Sequence, residues 1–233
     1  MVDSCCRSTL AACRKQKPDC RIAARLDTFT TWLARVDSSG PDMVDKVKNR
    51  YSFFTDTAVK AIDTTLTTPA GESSAPVLVI LYVSSLCPLC RYDTRELYTA
   101  VTAGPLKGRA RLMIKPFATA VGDRAVLAAQ HRGKLWPFAL AIDNEHDRIN
   151  DTIVNRIADS MGIGGAAFNA DVASPAIRAA TARSKNEGIR NGIKFTPGVF
   201  INGRLYSNYK DPQWIIDAIE WEYERISMVQ RKK

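Results

Sequence analysis

The chain has 233 residues, of which 45% are apolar and 24% charged, the balance of an ordinary globular protein of one or two domains. That balance excludes wholesale disorder, collagen-like repeats and low complexity, and no apolar run is long enough to span a membrane. The net charge of +9 invites a nucleic acid or an anionic surface, but the dense basic runs are only 14–17 and 231–233. No aromatic residues interleave with them as a base-stacking platform requires, so nucleic acid is not an expected partner.

In chain order, the first 20 residues hold Cys5, Cys6, Cys13 and Cys20. Met1 leads into Asp3, Cys5 and Cys6 with no apolar stretch, so no signal peptide is expected here, and an exported protein would be represented by its mature form. Zinc sites draw on closely paired cysteines or histidines. Here 0, 6 and 6 residues intervene between successive cysteines and no histidine is near, which favours two structural disulfides over a metal. Such staples belong to an oxidising compartment, periplasmic or otherwise extracytoplasmic. A bond between adjacent Cys5 and Cys6 would strain the peptide joining them, so each is expected to pair with Cys13 or Cys20.

Residues 1–63 read as a cysteine-rich helical extension, with a hairpin over 20–58. Ile22, Leu26, Phe29, Leu33 and Val36 share one helical face, Ser38-Ser39-Gly40-Pro41 breaks the pattern, and Val44, Val47, Tyr51 and Phe54 resume it. Such an amphipathic hairpin offers a surface for a homodimer. Residues 64–76, rich in Thr, Ser, Pro and Gly, read as a linker to a domain over 77–233. Val77 to Val83 is continuously apolar and β-branched, the pattern of a central strand buried on both faces. A helix from the cysteine pair to about Thr102, stopped by Gly104-Pro105, and a strand around Arg111–Ile114 follow. Residues 118–191 read as helices interrupted at Gly133, at 162–165 and at Ser174-Pro175, where Ser174 is an N-cap and Pro175 takes the first helical position. Asn202-Gly203 joins two short strands by a type I′ turn. Asp211-Pro212 opens a last helix with Ile216, Ile219, Tyr223 and Ile226 on its core face.

The chemistry sits at Cys87-Pro88-Leu89-Cys90. Cys87, at a helix start, faces unpaired backbone N–H groups and the positive end of the helix dipole, which favour thiolate over thiol. Cys90 lies one turn on, on the same side, and Pro88 suits the first turn, where its missing N–H costs nothing. Such a first thiol titrates at roughly 3.5–7 rather than about 8.5. The second signal is Thr196-Pro197 before Val199-Phe200-Ile201-Asn202-Gly203, with Pro197 a candidate cis proline.

Together, Cys-Pro-x-Cys after an apolar strand and Thr-Pro-x-x-Phe-Ile-Asn-Gly about 110 residues later resemble the DsbA-like branch of the thioredoxin superfamily. Ala128-Ala129-Gln130 and Leu135-Trp136-Pro137-Phe138 are similar to that family's helical insertion. The resemblance covers roughly residues 75–230. It implies an α/β thioredoxin fold with a helical insertion, preceded here by the amino-terminal hairpin. It implies a protein disulfide oxidoreductase or isomerase with Cys87 as exposed nucleophile and Cys90 as buried resolving thiol. Pro197 would be cis, facing the pair, and Thr196 would pair its backbone with a substrate chain beside Pro88 and Leu89. The partners implied are proteins with thiols or disulfides and a redox protein that recycles the pair. The only redox group is the Cys87–Cys90 disulfide, with no separate cofactor and no metal.

Two departures bear on the chemistry. Pro88 and Leu89 carry no charge where relatives often have histidine, and Leu81 stands where relatives often bury an acid. The helix terminus must then supply most of the thiolate stabilisation, which argues for a less extreme oxidant. Thr196 before the proline also resembles isomerase-like members. Lys115, at a strand end, reads as a surface lysine, with a substitute for the missing proton relay as the second reading. His131 and His146 read as solvent-facing or capping residues. The rival from another class is a metal-binding or chaperone module that uses the amino-terminal cysteines on a thioredoxin scaffold.

Overall fold

Val77–Val83 forms β1, and nearly every side chain along it is buried, on both faces of a four-stranded sheet. The computed structural model describes residues 54, 58–145, 148–206 and 211–230. The chain divides into two units, Met1–Tyr51 and Ser52–Lys233, and the described residues belong to the second. The expected hairpin over 20–58, apart from residues 54 and 58, together with Cys5, Cys6, Cys13, Cys20 and His146, therefore lies outside the described residues.

The helix α1 spans Pro88–Thr102, β2 Ala110–Pro116, then α2 Val121–Gln130, α3 Leu135–Asp143, α4 Asp151–Ser160, α5 Ala166–Ala173 and α6 Pro175–Arg190. The hairpin strands are β3 Gly198–Ile201 and β4 Arg204–Tyr206, and α7 runs Pro212–Gln230. The sheet order is β2-β1-β3-β4, with β1 and β2 parallel and the other pairs antiparallel. Thus α1 connects parallel neighbours, as a parallel pair requires, and α2–α6 form the insertion before β3. Asn202 and Gly203 have φ of 47° and 76°, the two positive values of a type I′ turn.

Period-two alternation gives the sheet two cores. Val79, Leu81, Leu112, Ile114, Val199 and Ile201 join one cluster with residues of α1–α7. Ile80, Tyr82, Met113 and Phe200 join a second with Ile193. Ser174 caps α6, its Oγ accepting the Ile177 N–H at 3.2 Å, and Asp211 receives the Gln213 N–H at the start of α7.

Residues 64–76, read as a linker, lie along β2. The Thr67 hydroxyl donates to the Ile114 carbonyl at 2.6 Å, and Ala70 and Leu112 exchange backbone hydrogen bonds at 2.7 and 2.9 Å. Small residues permit this approach, which satisfies the backbone groups of an otherwise open strand edge.

Lys115 is not a surface lysine. It is 1% exposed. Its ammonium donates to Glu187 of α6 and to the Asp63 carbonyl, while the Tyr82 hydroxyl donates to the same Glu187 carboxylate at 2.7 Å. Nor is it placed as a relay for the cysteines. Along β2 it alternates with Ile114, so it points to the face of the sheet opposite the core that contains α1 residues.

Candidate active site

The site is built where β1 runs out and α1 begins. The chain turns at Ser84, whose carbonyl accepts the Cys87 N–H at 3.0 Å. Cys87 is the N-cap of α1, with extended backbone, and its sulfur accepts the Cys90 N–H at 3.3 Å. The first turn of α1 holds no acidic side chain, so no carboxylate of that turn competes with the sulfur for the positive helix end. Both cysteines are thiols. The Cys87 thiol is held down to about 6 by its contact with the Cys90 side chain, against burial, with the helix-end N–H groups of Cys90 and Leu89 helping. Burial pushes the Cys90 thiol far up, and the negative charge of Cys87 adds to that. Cys90 has no exposure at all. The pair is thus asymmetric: one thiol is acidic and half-buried, the other buried and proton-holding.

The β3 hairpin closes the other side. The Thr196–Pro197 peptide is cis, as the resemblance implies. The Thr196 carbonyl lies 3.5 Å from the Cys87 sulfur, which donates to it. The structure therefore brings together Cys87, Cys90 and Thr196 with Pro88, Leu89 and Pro197, all named from sequence. Pro88 and Leu89 are exposed, Thr196 is half-buried and Pro197 is buried. His131 is exposed at the end of α2 and takes no part.

Four large apolar side chains are exposed within or close to these two motifs in the chain: Leu86, Leu89, Tyr92 and Phe195, at 56, 60, 58 and 65%. Only Leu89 was singled out from sequence. Leu86 and Phe195 adjoin the two motifs, and that adjacency was the signal available for them.

Sequence reasoning also missed a buried polar group behind the cysteines. Asp123 of α2 accepts the Ser85 N–H at 2.9 Å, the Ser85 hydroxyl at 3.2 Å and the Ala120 N–H at 3.1 Å. Asp143, at the end of α3, is 8% exposed. Gly122 lets α2 approach, because a Cβ there would stand 2.7 Å from the Ser85 side chain. Among the described residues, no three His, Cys, Asp or Glu side chains gather to hold a metal, and no helix is long and apolar enough to cross a membrane.

A family model described as thioredoxin matches residues 63–220. The chain belongs to the thioredoxin family, and its fold is DsbA-like. No curated protein matches it by sequence. Among solved structures it is similar to a thioredoxin-like oxidoreductase from Silicibacter pomeroyi, at 24% identity and TM-score 0.59, covering 75% of this chain and 98% of that one. Wolbachia pipientis alpha-DsbA1 matches at 21% identity and TM-score 0.61, over 72% and 96% of the two chains. BdbD from Bacillus subtilis matches at 14% identity and TM-score 0.59, over 73% and 100%. At these identities the likeness speaks for the fold, and the chemistry rests on the residues themselves.

Proposed function

We propose that this protein is a thiol–disulfide oxidoreductase that exchanges disulfides with polypeptide substrates through Cys87 and Cys90. The observation that carries the reading is the asymmetry of the pair: a half-buried Cys87 thiol held down to about 6 at a helix N-terminus, and a fully buried Cys90. A substrate thiolate opens the oxidised pair at Cys87, a mixed disulfide forms, and a second thiolate resolves it. In the other direction Cys87 attacks a substrate disulfide and Cys90 releases it. The Thr196 backbone, 3.5 Å from Cys87, offers an edge for short β-like pairing with the substrate. Exposed Leu86, Leu89, Tyr92 and Phe195 suit a chain that still presents apolar residues, as an incompletely folded protein does.

The reading extends to an extracytoplasmic, periplasmic or secreted setting, a redox partner that recycles the pair, and two structural disulfides among Cys5, Cys6, Cys13 and Cys20. The amino-terminal hairpin is proposed as a homodimer contact. Catalysis needs no cofactor beyond the cysteine pair.

The test is the Cys87–Cys90 midpoint potential in glutathione buffers, paired with turnover of a reduced, unfolded substrate protein. A Cys87 thiol near 6 is less stabilised than that of the strongest oxidants, so the midpoint is expected between about −270 and about −120 mV. Cys87→Ser should abolish turnover. Undiminished turnover in that variant would refute the reading.

A further inference from the structure

The segments that carry the cysteine pair and the Thr196–Pro197 peptide bear charge of one sign. Residues 84–92 and 188–198 include three basic residues and no Asp or Glu. Two of the three adjoin the reacting sulfur in the chain. Arg91 follows Cys87 by four residues, one turn on and about 6 Å along the α1 axis. Lys194 precedes Thr196 by two residues, so their Cα atoms are at most about 7 Å apart. The Thr196 carbonyl in turn lies 3.5 Å from the Cys87 sulfur.

Both cations are exposed, and neither forms a hydrogen bond or an ion pair among the described residues. Arg95, the next cation of α1, is instead taken up by the Leu140 carbonyl and the Asn144 side chain. Asp93, Asp123 and Asp143 are 1, 3 and 8% exposed and present nothing to a bound chain. Burial also raises the carboxyls of Asp123 and Asp143, which reduces the charge they hold against these cations. Glu96 is exposed, but it stands nine residues after Cys87. That is roughly 13 Å along the helix from the sulfur, more than the about 8 Å over which charge is felt in physiological salt. In the chain, Arg91 lies between exposed Leu89 and Tyr92, and Lys194 lies beside exposed Phe195. The surface around Cys87 is therefore apolar and basic at once.

We propose, resting on the thiol–disulfide reading, that this surface selects polypeptides with a carboxylate two or three residues from the reacting cysteine, and that Arg91 and Lys194 determine that specificity. An extended substrate paired with the Thr196 backbone advances about 3.3 Å per residue. A carboxylate two residues from its cysteine then lies about 7 Å away, close to the separation of Lys194 from Thr196 and of Arg91 from Cys87. The apolar side chains offer contact that any unfolded chain can use. The cations discriminate, because they attract a carboxylate and repel an ammonium at the same place. In the exchange a substrate thiolate bonds to the Cys87 sulfur and the Cys87–Cys90 bond breaks. Cys90 leaves with the electron pair and takes up the proton that the substrate thiol gave to solvent. Attraction of this kind acts on the encounter, so selection shows in the second-order rate and weakens with salt.

The experiment mixes the oxidised full chain with either of two peptides, identical except that a single cysteine is flanked by Asp or by Lys. Acid quench and alkylation give the initial rate at which the Cys87–Cys90 disulfide opens. Each rate is divided by that of the same peptide with 2-hydroxyethyl disulfide, an uncharged reagent, which cancels the reactivity of the peptide thiol itself. The acidic peptide should be favoured about 10-fold at low salt. The preference should fall towards one in about 1 M salt, where charge is screened within about 3 Å. Arg91→Gln with Lys194→Gln should erase the preference at low salt. Lys107→Gln with Lys134→Gln removes the same charge from exposed positions beyond the far ends of α1 and α2, and should keep it. Equal normalised rates in the wild-type protein, a preference that survives the first pair of substitutions, or equal loss in both pairs would overturn the proposal. If neither peptide opens the disulfide of the wild-type protein, the thiol–disulfide reading is what falls.

Discussion

At the scale of single residues, the reactivity of Cys87 decides what the protein can do. Its thiol is lowered from 9.0 to about 6, first by the Cys90 side chain. The stability this lends the reduced fold is present in full above pH 9 and is lost as pH falls through about 6. The reduced protein should therefore unfold at progressively higher temperature between those limits, and Cys87→Ala should flatten the rise. Iodoacetamide should alkylate Cys87 with a midpoint near 6 and leave Cys90 untouched until the protein unfolds. A midpoint near that of a free cysteine would contradict the N-cap account. Cys87 and Cys90 were legible in the sequence from their spacing at a helix start, and Pro197 only through the resemblance that the two motifs carry together. Asp143 and Lys115 were not. An aspartate closing a helix and a lysine ending a strand both look solvated until the insertion helices, or α6, are folded over them.

At the scale of elements, two contacts position the sheet and the site. The first joins α6 to the sheet through Lys115, Glu187 and Tyr82. Burial alone would raise the Glu187 carboxyl, but the Asp63 N–H, Lys115 and Tyr82 hold it below the usual range. Glu187→Gln should cost about 3–5 kcal/mol, because it leaves a buried ammonium without its counter-charge. Lys115→Met should cost less, since Glu187 keeps its bonds to Tyr82 and Asp63. The double variant should cost less than the sum of the two, and strict additivity in denaturant titrations would contradict the pairing. The second contact is Gly122 against Ser85. Gly122→Ala would press a methyl group into the loop that carries Cys87, and should cost about 1–3 kcal/mol while raising the Cys87 alkylation midpoint. An unchanged midpoint would mean that the loop is held by α1 alone. The strands and most helices were legible because Val77–Val83 and the Asn202-Gly203 turn carry their own patterns. The path of residues 64–76 was not, because pairing of Ala70 with Leu112 depends on an edge that only the assembled sheet provides.

At the scale of the whole molecule, the question is what the second unit, Ser52–Lys233, needs from the rest of the chain. Its described part covers both edges of its own sheet. Ala70 bridges to Leu112 beside β2, and Phe54 bridges to Tyr206 beside β4. Phe54 also meets the Trp221 ring at 6.3 Å and lies 4.2 Å under the Arg204 guanidinium. That guanidinium bonds Glu222, which is fully buried on α7 and also accepts from Asn202 and Arg225. The hairpin of β3 and β4 is thereby tied to α7 and to Phe54. A protein starting at Ser52 should consequently fold, with an unfolding midpoint within about 4 °C of the full chain, the displacement that about 1 kcal/mol produces at this size. Its Cys87 should alkylate with the same midpoint. A protein starting at Ala61 loses Phe54 and the Lys60 N–H bond to the Gly203 carbonyl. It also opens the β4 edge, and should be markedly less stable and prone to associate. Calorimetry of the two truncated proteins separates the outcomes. Failure of the Ser52 protein to fold would mean that the first 51 residues supply part of its core, and equal stability of the two would remove the role given to Phe54.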